Sequence, residues 1–268
     1  MQKLRRVAVV FALVCSISVP CSAQQNVASV GTTSAQSLLQ QSLAAQVGNT
    51  QISDITLSGT AHRIASSDDE SGTVTLKGLS SGATRLDFNF PSGPRSEYRS
   101  PAADNPTGGW FGPDGVVHPI ADHNLVNDWS WFPLFSLANA ANPQNFLVSL
   151  VGTETRNGQS ILHVTVSQQF ASLSGKTAKL LTHLSQIEIF LDAATLLPAS
   201  IAYNIHPDDN ALLDIPVELQ FSDYRPVNGT QIPFHIQKSI NNSLAFDLQF
   251  QNATLNTGLT PAQLGGAQ

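Results

Sequence analysis

The chain has only two cysteines, Cys15 and Cys21, and both fall within its first twenty-three residues. From Gln24 onward there is none. That excludes a disulfide-stapled scaffold, a thiol nucleophile and a thiolate metal centre from this part of the chain. Charge is scarce too. Asp, Glu, Lys and Arg make up 12% of the sequence, against about 25% in a typical soluble domain. The formal net charge is −6, and Lys and Arg form no runs. Nucleic-acid binding needs clustered cations to neutralise phosphates, and docking on anionic headgroups needs the same. Neither partner is expected. Beyond residue 23 no apolar run reaches the roughly 20 residues that span a bilayer. No Gly-x-Gly phosphate fingerprint is present. Repeats of fixed period and low-complexity tracts are missing as well.

The first segment, Met1–Ala23, reads as a cleavable export signal. Lys3, Arg5 and Arg6 give a positive start, Val7–Val19 is apolar, and Cys21-Ser22-Ala23 places small residues before Gln24. An uncleaved anchor is one rival, and the short apolar run speaks against it. A lipoprotein acylated at Cys21 is another, and Pro20 is a poor residue to precede that cysteine. The expected product is a free periplasmic or secreted chain. Losing three cations takes its formal charge from −6 to −9. Residues 24–33 read as a flexible start, 34–260 as one domain and 261–268 as a flexible end.

Ser34 reads as the N-cap of a helix with Leu38, Leu39, Leu43 and Val47 on one side and Gly48 at its end. The period then changes from helical to alternating. Ile55 and Leu57, Val74 and Leu76, and Leu86, Phe88 and Phe90 mark three strands of a meander. An acidic turn, Ser66–Gly72, lies between the first two. Pro91–Pro101 continues extended, and Pro106–Pro119 holds turns between short strands. His123–Ala141 is apolar at helical spacing, with Pro133 expected to kink or split it. Segments 147–151, 161–166, 187–191, 199–205, 216–221, 232–236 and 243–250 read as further strands. Asn228-Gly229 is the strongest turn signal among them. Ser172–Ser185 fits a short helix or a loop. The expected fold is mainly β: one curved antiparallel sheet of roughly ten strands, an unclosed barrel, with an N-terminal helix and an aromatic helix over its concave face.

Few residues carry an obvious chemistry. His118, Asp122 and His123 lie within six residues, which suits an acid–base pair or a metal, but also a polar loop. No Glu or third His stands at metal-ligand spacing. Ser80-Ser81-Gly82 and Ser172–Gly175 read as loops rather than as a nucleophile elbow. Asp208, Asp209, Asn210 and Asp214 offer oxygen ligands without the EF-hand spacing. The aromatic stretch Trp129–Phe135 stands out, because all three tryptophans, Trp110, Trp129 and Trp131, fall within twenty-two residues. Two roles fit it equally: a plug that fills the core, or a lid over a ligand cavity.

The last third carries a likeness. Phe190-Leu191-Asp192 through Leu197-Pro198 is followed by Phe221–Gly229, which leads into Ile232-Pro233-Phe234. Leu248-Gln249-Phe250 and Leu255-Asn256 come next. This order resembles the closing strands of the LolA/LolB-like lipoprotein-carrier superfamily and its outer-membrane lipoprotein-sorting relatives. In residue detail it covers Phe190–Leu255; in topology it extends over most of the chain. The resemblance implies an unclosed antiparallel barrel that holds a lipid or a lipoprotein acyl chain in an apolar cavity. It also implies no catalytic residues, no cofactor and no metal. Candidate cavity residues, taken from the apolar faces, are Leu57, Leu76, Phe88, Trp129, Trp131, Phe135, Phe190, Tyr203, Phe221, Phe234 and Phe246. Two other readings compete. One is an envelope protein-interaction module whose core is filled by its own side chains. The other is a hydrolase built on His118, Asp122 and His123.

Overall fold

The structure, a computed structural model, describes residues 34–265 except 49, 102–105, 128, 143 and 171. The expected export signal and the 24–33 segment lie outside the described residues. No described helix is long and apolar enough to cross a membrane.

Helix α1 (Ala35–Val47) starts where Ser34 Oγ accepts the Ser37 N–H at 3.1 Å. It stops at Gly48, whose φ of +56° suits a residue without a Cβ. Six strands follow: β1 (Asp54–Ala65), β2 (Asp68–Leu79), β3 (Thr84–Phe90), β4 (Gly93–Ser100), β5 (Thr107–Phe111) and β6 (Val117–Pro119). After helix α2 (Pro133–Ala140) come β7 (Phe146–Arg156), β8 (Gln159–Gln168) and helix α3 (Gly175–Leu184). The chain then forms β9 (Ile187–Asp192), β10 (Pro198–Ile205), β11 (Ile215–Val227), β12 (Thr230–Ile240) and β13 (Ser243–Leu255).

All thirteen described strands belong to one antiparallel sheet, in the order β6-β5-β4-β3-β2-β1-β13-β12-β11-β10-β9-β8-β7. Roughly ten were expected; the additional three are β4–β6, in the stretch rich in Gly and Pro. Two meanders of sequence neighbours meet at β1 and β13, from Ile55 opposite Leu255 to Arg63 opposite Phe246. The strands β6 and β7 are the free edges, and no ladder joins them among the described residues. The sheet curves strongly all the same. Four strands separate β4 from β12, yet Glu97 Oε2 lies 3.7 Å from Lys238 Nζ across the concave side.

Residues 120–145 run from one edge to the other and carry α2 across that concave side. The expected helix over His123–Ala141 is shorter than its apolar pattern. Residues Asp122–Asn124 form a 3-10 turn, and α2 begins at Pro133. Proline lacks the N–H that a first helical turn leaves unpaired, so Pro133 starts the helix rather than bending it. Phe132, Phe135 and Leu137 are fully buried in the single large core. Gly78 of β2 makes room for them: a Cβ there would stand 2.5 Å from the Phe132 ring. The Gln36 side chain ties α1 to the last α2 carbonyl, Ala140, at 3.3 Å.

The acidic run expected as a turn is largely strand. Only Ser66 and Ser67 turn, and β2 begins at Asp68. Cross-strand pairing holds it there, with Asp68 and Glu70 on Arg63 and Asp69 on His62. Near the other end, residues 261–265 include a 3-10 turn, and Leu264 is buried against Leu79 and Ala83.

Candidate functional site

The strand β12 alternates Ile232, Phe234 and Ile236 onto the core face, and the next residue in that phase is Lys238. Its side chain is only 10% exposed. The ammonium lies 5.0 Å from the Trp131 ring and 5.5 Å from the Trp129 ring. Glu97 reaches it from β4, on the same face as Leu86 and Trp110, its cross-strand neighbours. Glu97 also accepts the Trp131 Nε1–H at 3.4 Å. A buried ion pair is poor evidence of stabilisation, because desolvation costs about as much as the attraction returns.

Two residues along β4, Arg99 is also buried. Its guanidinium donates to the Asn124 carbonyl at 3.0 Å and to the Asn127 carbonyl and Oδ1 at 2.7 and 2.9 Å. It stands over Trp129 at 5.1 Å. Trp129 in turn stacks on Tyr203 of β10, with ring centroids 4.6 Å apart. At the outer lip Trp110, 47% exposed, stacks on His118 at 4.1 Å.

These residues surround a pocket of about 440 Å³ at the mouth of the concave side. Trp129 and Tyr203 both line it, and their polar atoms, Trp129 Nε1 and Tyr203 Oη, are buried behind its surface without a hydrogen-bond partner. Such orphans are uncommon, since each forfeits about 1–3 kcal/mol of solvation. Burial, reinforced by the Glu97 charge and opposed by Arg99, pushes the Tyr203 phenol well above its usual pKa. It therefore stays protonated, and both orphans offer a donor. A group bringing acceptor oxygens would satisfy them.

The predicted cavity residues largely converge. Leu57, Leu76, Phe88, Trp129, Trp131, Phe135, Tyr203, Phe221 and Phe234 are buried in one cluster, and Phe246 packs at its border, stacked on Phe88 at 5.1 Å. Phe190 is the exception. Its neighbours Ile189 and Leu191 join the cluster, whereas Phe190 lies on the other face, 3.6 Å from the Arg156 guanidinium and 4.3 Å from the His163 ring. Of the predicted set only Trp129 and Tyr203 line the mouth pocket. Glu97, Arg99 and Lys238 were missed. A lysine in the apolar phase of β12 was the available signal.

The hydrolase residues do not assemble. His118 is stacked under Trp110, and His123 Nε2 lies 3.1 Å from the Pro207 carbonyl. Among the described residues no hydrogen bond joins Asp122 to either histidine. The run Gly78-Leu79-Ser80-Ser81-Gly82 does spell G-x-S-x-G. It forms the turn between antiparallel β2 and β3, with the Ser80 N–H on the Ser53 carbonyl, and no helix follows it as a nucleophile elbow requires.

No family model and no curated protein matches the chain. Solved structures do. One is a domain named for outer membrane lipoprotein sorting from Vibrio parahaemolyticus, at 11% identity and a TM-score of 0.54, covering 85% of this chain and 95% of that one. A DUF1329 family protein from Desulfovibrio piger matches at 13% identity and a TM-score of 0.55, covering 86% and 95%. A LolA superfamily protein from Nitrosomonas europaea matches at 9% identity and a TM-score of 0.52, covering 87% and 97%. At these identities the likeness is one of fold. The described residues carry the open, curved antiparallel sheet of the LolA-like proteins in a divergent form.

Proposed function

We propose that this chain is an exported, non-catalytic carrier of an acyl-bearing ligand, either a lipid or the acyl chain of a lipoprotein. The observation that supports this most is the mouth pocket, where two unpartnered buried donors stand at the head of an apolar concave face. As the packing over Trp129 and Tyr203 opens, the ester or carboxylate oxygens of the ligand accept from their buried donors. Its hydrocarbon tail takes the place of α2 side chains against the sheet. One apolar surface then substitutes for another, so the net driving force is small. Such exchange suits a carrier that must also release its load. The reading needs no cofactor, and the site of action is the periplasm.

All three tryptophans of the chain lie in or beside the mouth, so intrinsic emission reports the site without background. Titration with a fluorescent fatty acid is expected to shift that emission. Native mass spectrometry of protein taken from the periplasm is expected to show a bound lipid mass. Tyr203→Phe removes one donor and should weaken binding by about three- to tenfold. A ligand-free spectrum together with unchanged emission would overturn the proposal. That pair of results would favour the interaction-module reading, which draws its support from the complete burial of Leu137 of α2 and of Phe132 at its start.

A further inference from the structure

At one end of β10, beside the mouth pocket that His206 itself helps to line, two histidines meet an aspartate. The β10–β11 ladder runs out at Ile205 opposite Ile215, so the next residues beyond it, His206 and Asp214, face each other across a seven-residue loop. His183, in the last turn of α3, arrives from the side. Asp214 Oδ1 lies 2.9 Å from His183 Nε2 and 3.0 Å from His206 Nε2. The three donor atoms fall within 4.8 Å of one another.

We infer that His183, His206 and Asp214 form a binding site for a divalent transition-metal cation of the zinc class.

The ring of His206 carries the argument. It is almost wholly buried, at 4% exposure. Asn124 is locked beside it, its Nδ2 donating to the His206 carbonyl and its Oδ1 accepting the His206 N–H, both at 2.8 Å. That same Oδ1 lies 3.3 Å from His206 Nδ1. Because its orientation is fixed by the other two bonds, it faces Nδ1 as an acceptor, and a proton placed on Nδ1 is hydrogen-bonded there. A neutral imidazole then presents a lone pair at Nε2. Here that lone pair points at a carboxylate oxygen. Two acceptors in contact require something positive between them: a second ring proton or a metal ion. A carbonyl acceptor on the far nitrogen is also the usual support of a metal-bound histidine.

The dimensions fit. Tetrahedral zinc with bonds of about 2.0–2.1 Å holds its ligand atoms about 3.3 Å apart. The two nitrogen–oxygen separations need to open by only a few tenths of an ångström. Two imidazoles select zinc, cobalt, nickel or copper over calcium and magnesium, which prefer all-oxygen shells. The His183 and Asp214 side chains are each 42% exposed, so an ion can enter, and a fourth position is left to solvent. His123 packs edge-on against His206 at 5.9 Å, but its Nε2 is directed at the Pro207 carbonyl. It buttresses the ring and is not a ligand. The site adjoins the pocket of the lipid reading, since His206 and Asn124 line both and the Asn124 carbonyl also receives Arg99, but its ligand atoms and its test are separate.

Protein without an affinity tag, stripped with a chelator and dialysed against micromolar zinc, is expected to retain one equivalent by elemental analysis. Isothermal titration is expected to give a single site, and zinc to raise the melting temperature. Asp214→Ala should abolish binding. His183→Ala, at a half-exposed helix end, should keep the native circular dichroism and lose affinity by at least about tenfold. Cobalt should replace zinc and report tetrahedral coordination in its visible spectrum. Zinc far below one equivalent, or wild-type affinity in folded His183→Ala, would overturn the site and leave a second proton on His206 as the occupant.

Discussion

Asp54 is buried to 1% exposure, yet its carboxylate has four donors. Oδ1 accepts from the Thr257 N–H at 2.8 Å and its hydroxyl at 2.9 Å; Oδ2 accepts from the Gly258 N–H at 3.0 Å and the Ser53 hydroxyl at 2.9 Å. Burial pushes the carboxyl up, but these bonds, led by Thr257, outweigh it and hold the pKa below its usual value. A depressed folded-state pKa stabilises the protein above the unfolded value and loses that effect as pH falls through the folded one. Asp54→Asn should therefore cost about 1–3 kcal/mol at neutral pH. The difference from wild type should shrink from about pH 4 downward, as wild-type Asp54 protonates. Urea denaturation across that range measures both. At this scale the sequence was only partly legible. Alternation places Leu57, Leu76 and Phe234 on the core face correctly. It cannot place Glu97, because β4 lies in a stretch whose Gly and Pro residues hide the period. Phe190 was misplaced although the signal was there, since in β9 it shares its phase with Glu188 and Asp192, opposite Ile187, Ile189 and Leu191.

At the scale of elements, the turns were the most readable. Asn157, Asn228, Asn241 and Asn242 all adopt positive φ at hairpins, where asparagine and glycine are favoured. The cap at Ser34 was readable for the same reason, a local donor needing a local acceptor. The extent of α2 was not. Its apolar pattern continues upstream of Pro133, because residues Trp129–Phe132 are buried without being helical. Burial and helical spacing look alike over so short a run. The fit of α2 on the sheet gives a direct test. Gly78→Ala would set a methyl 2.5 Å from the Phe132 ring. Overpacking of this kind should cost about 1–3 kcal/mol. Chemical denaturation gives that loss, and a changed tryptophan emission would show that the displacement reaches Trp131.

Across the whole sheet, what matters is that it stays open. The edge strand β7 pairs on one side only and exposes Leu147, Leu150 and Val151, the last at 60%. Long apolar edges recruit other strands. Val151→Lys should raise the concentration at which the protein aggregates on heating, by light scattering, and leave the melting temperature nearly unchanged. The antiparallel class was legible from period and turns alone. The strand order was not, because no local signal announces that β1 pairs with β13. That seam has a kinetic meaning. Each meander grows by short hairpin closures, whereas Ile55 and Leu255 must meet across about 200 residues of chain, an entropic cost paid before any contact rewards it. The first six strands can fold early, but β1 keeps one bare edge until β13, the last of the described strands, arrives to cover it. If the chain is exported as proposed and crosses a membrane before folding, this is the interval in which a holding chaperone has something to hold.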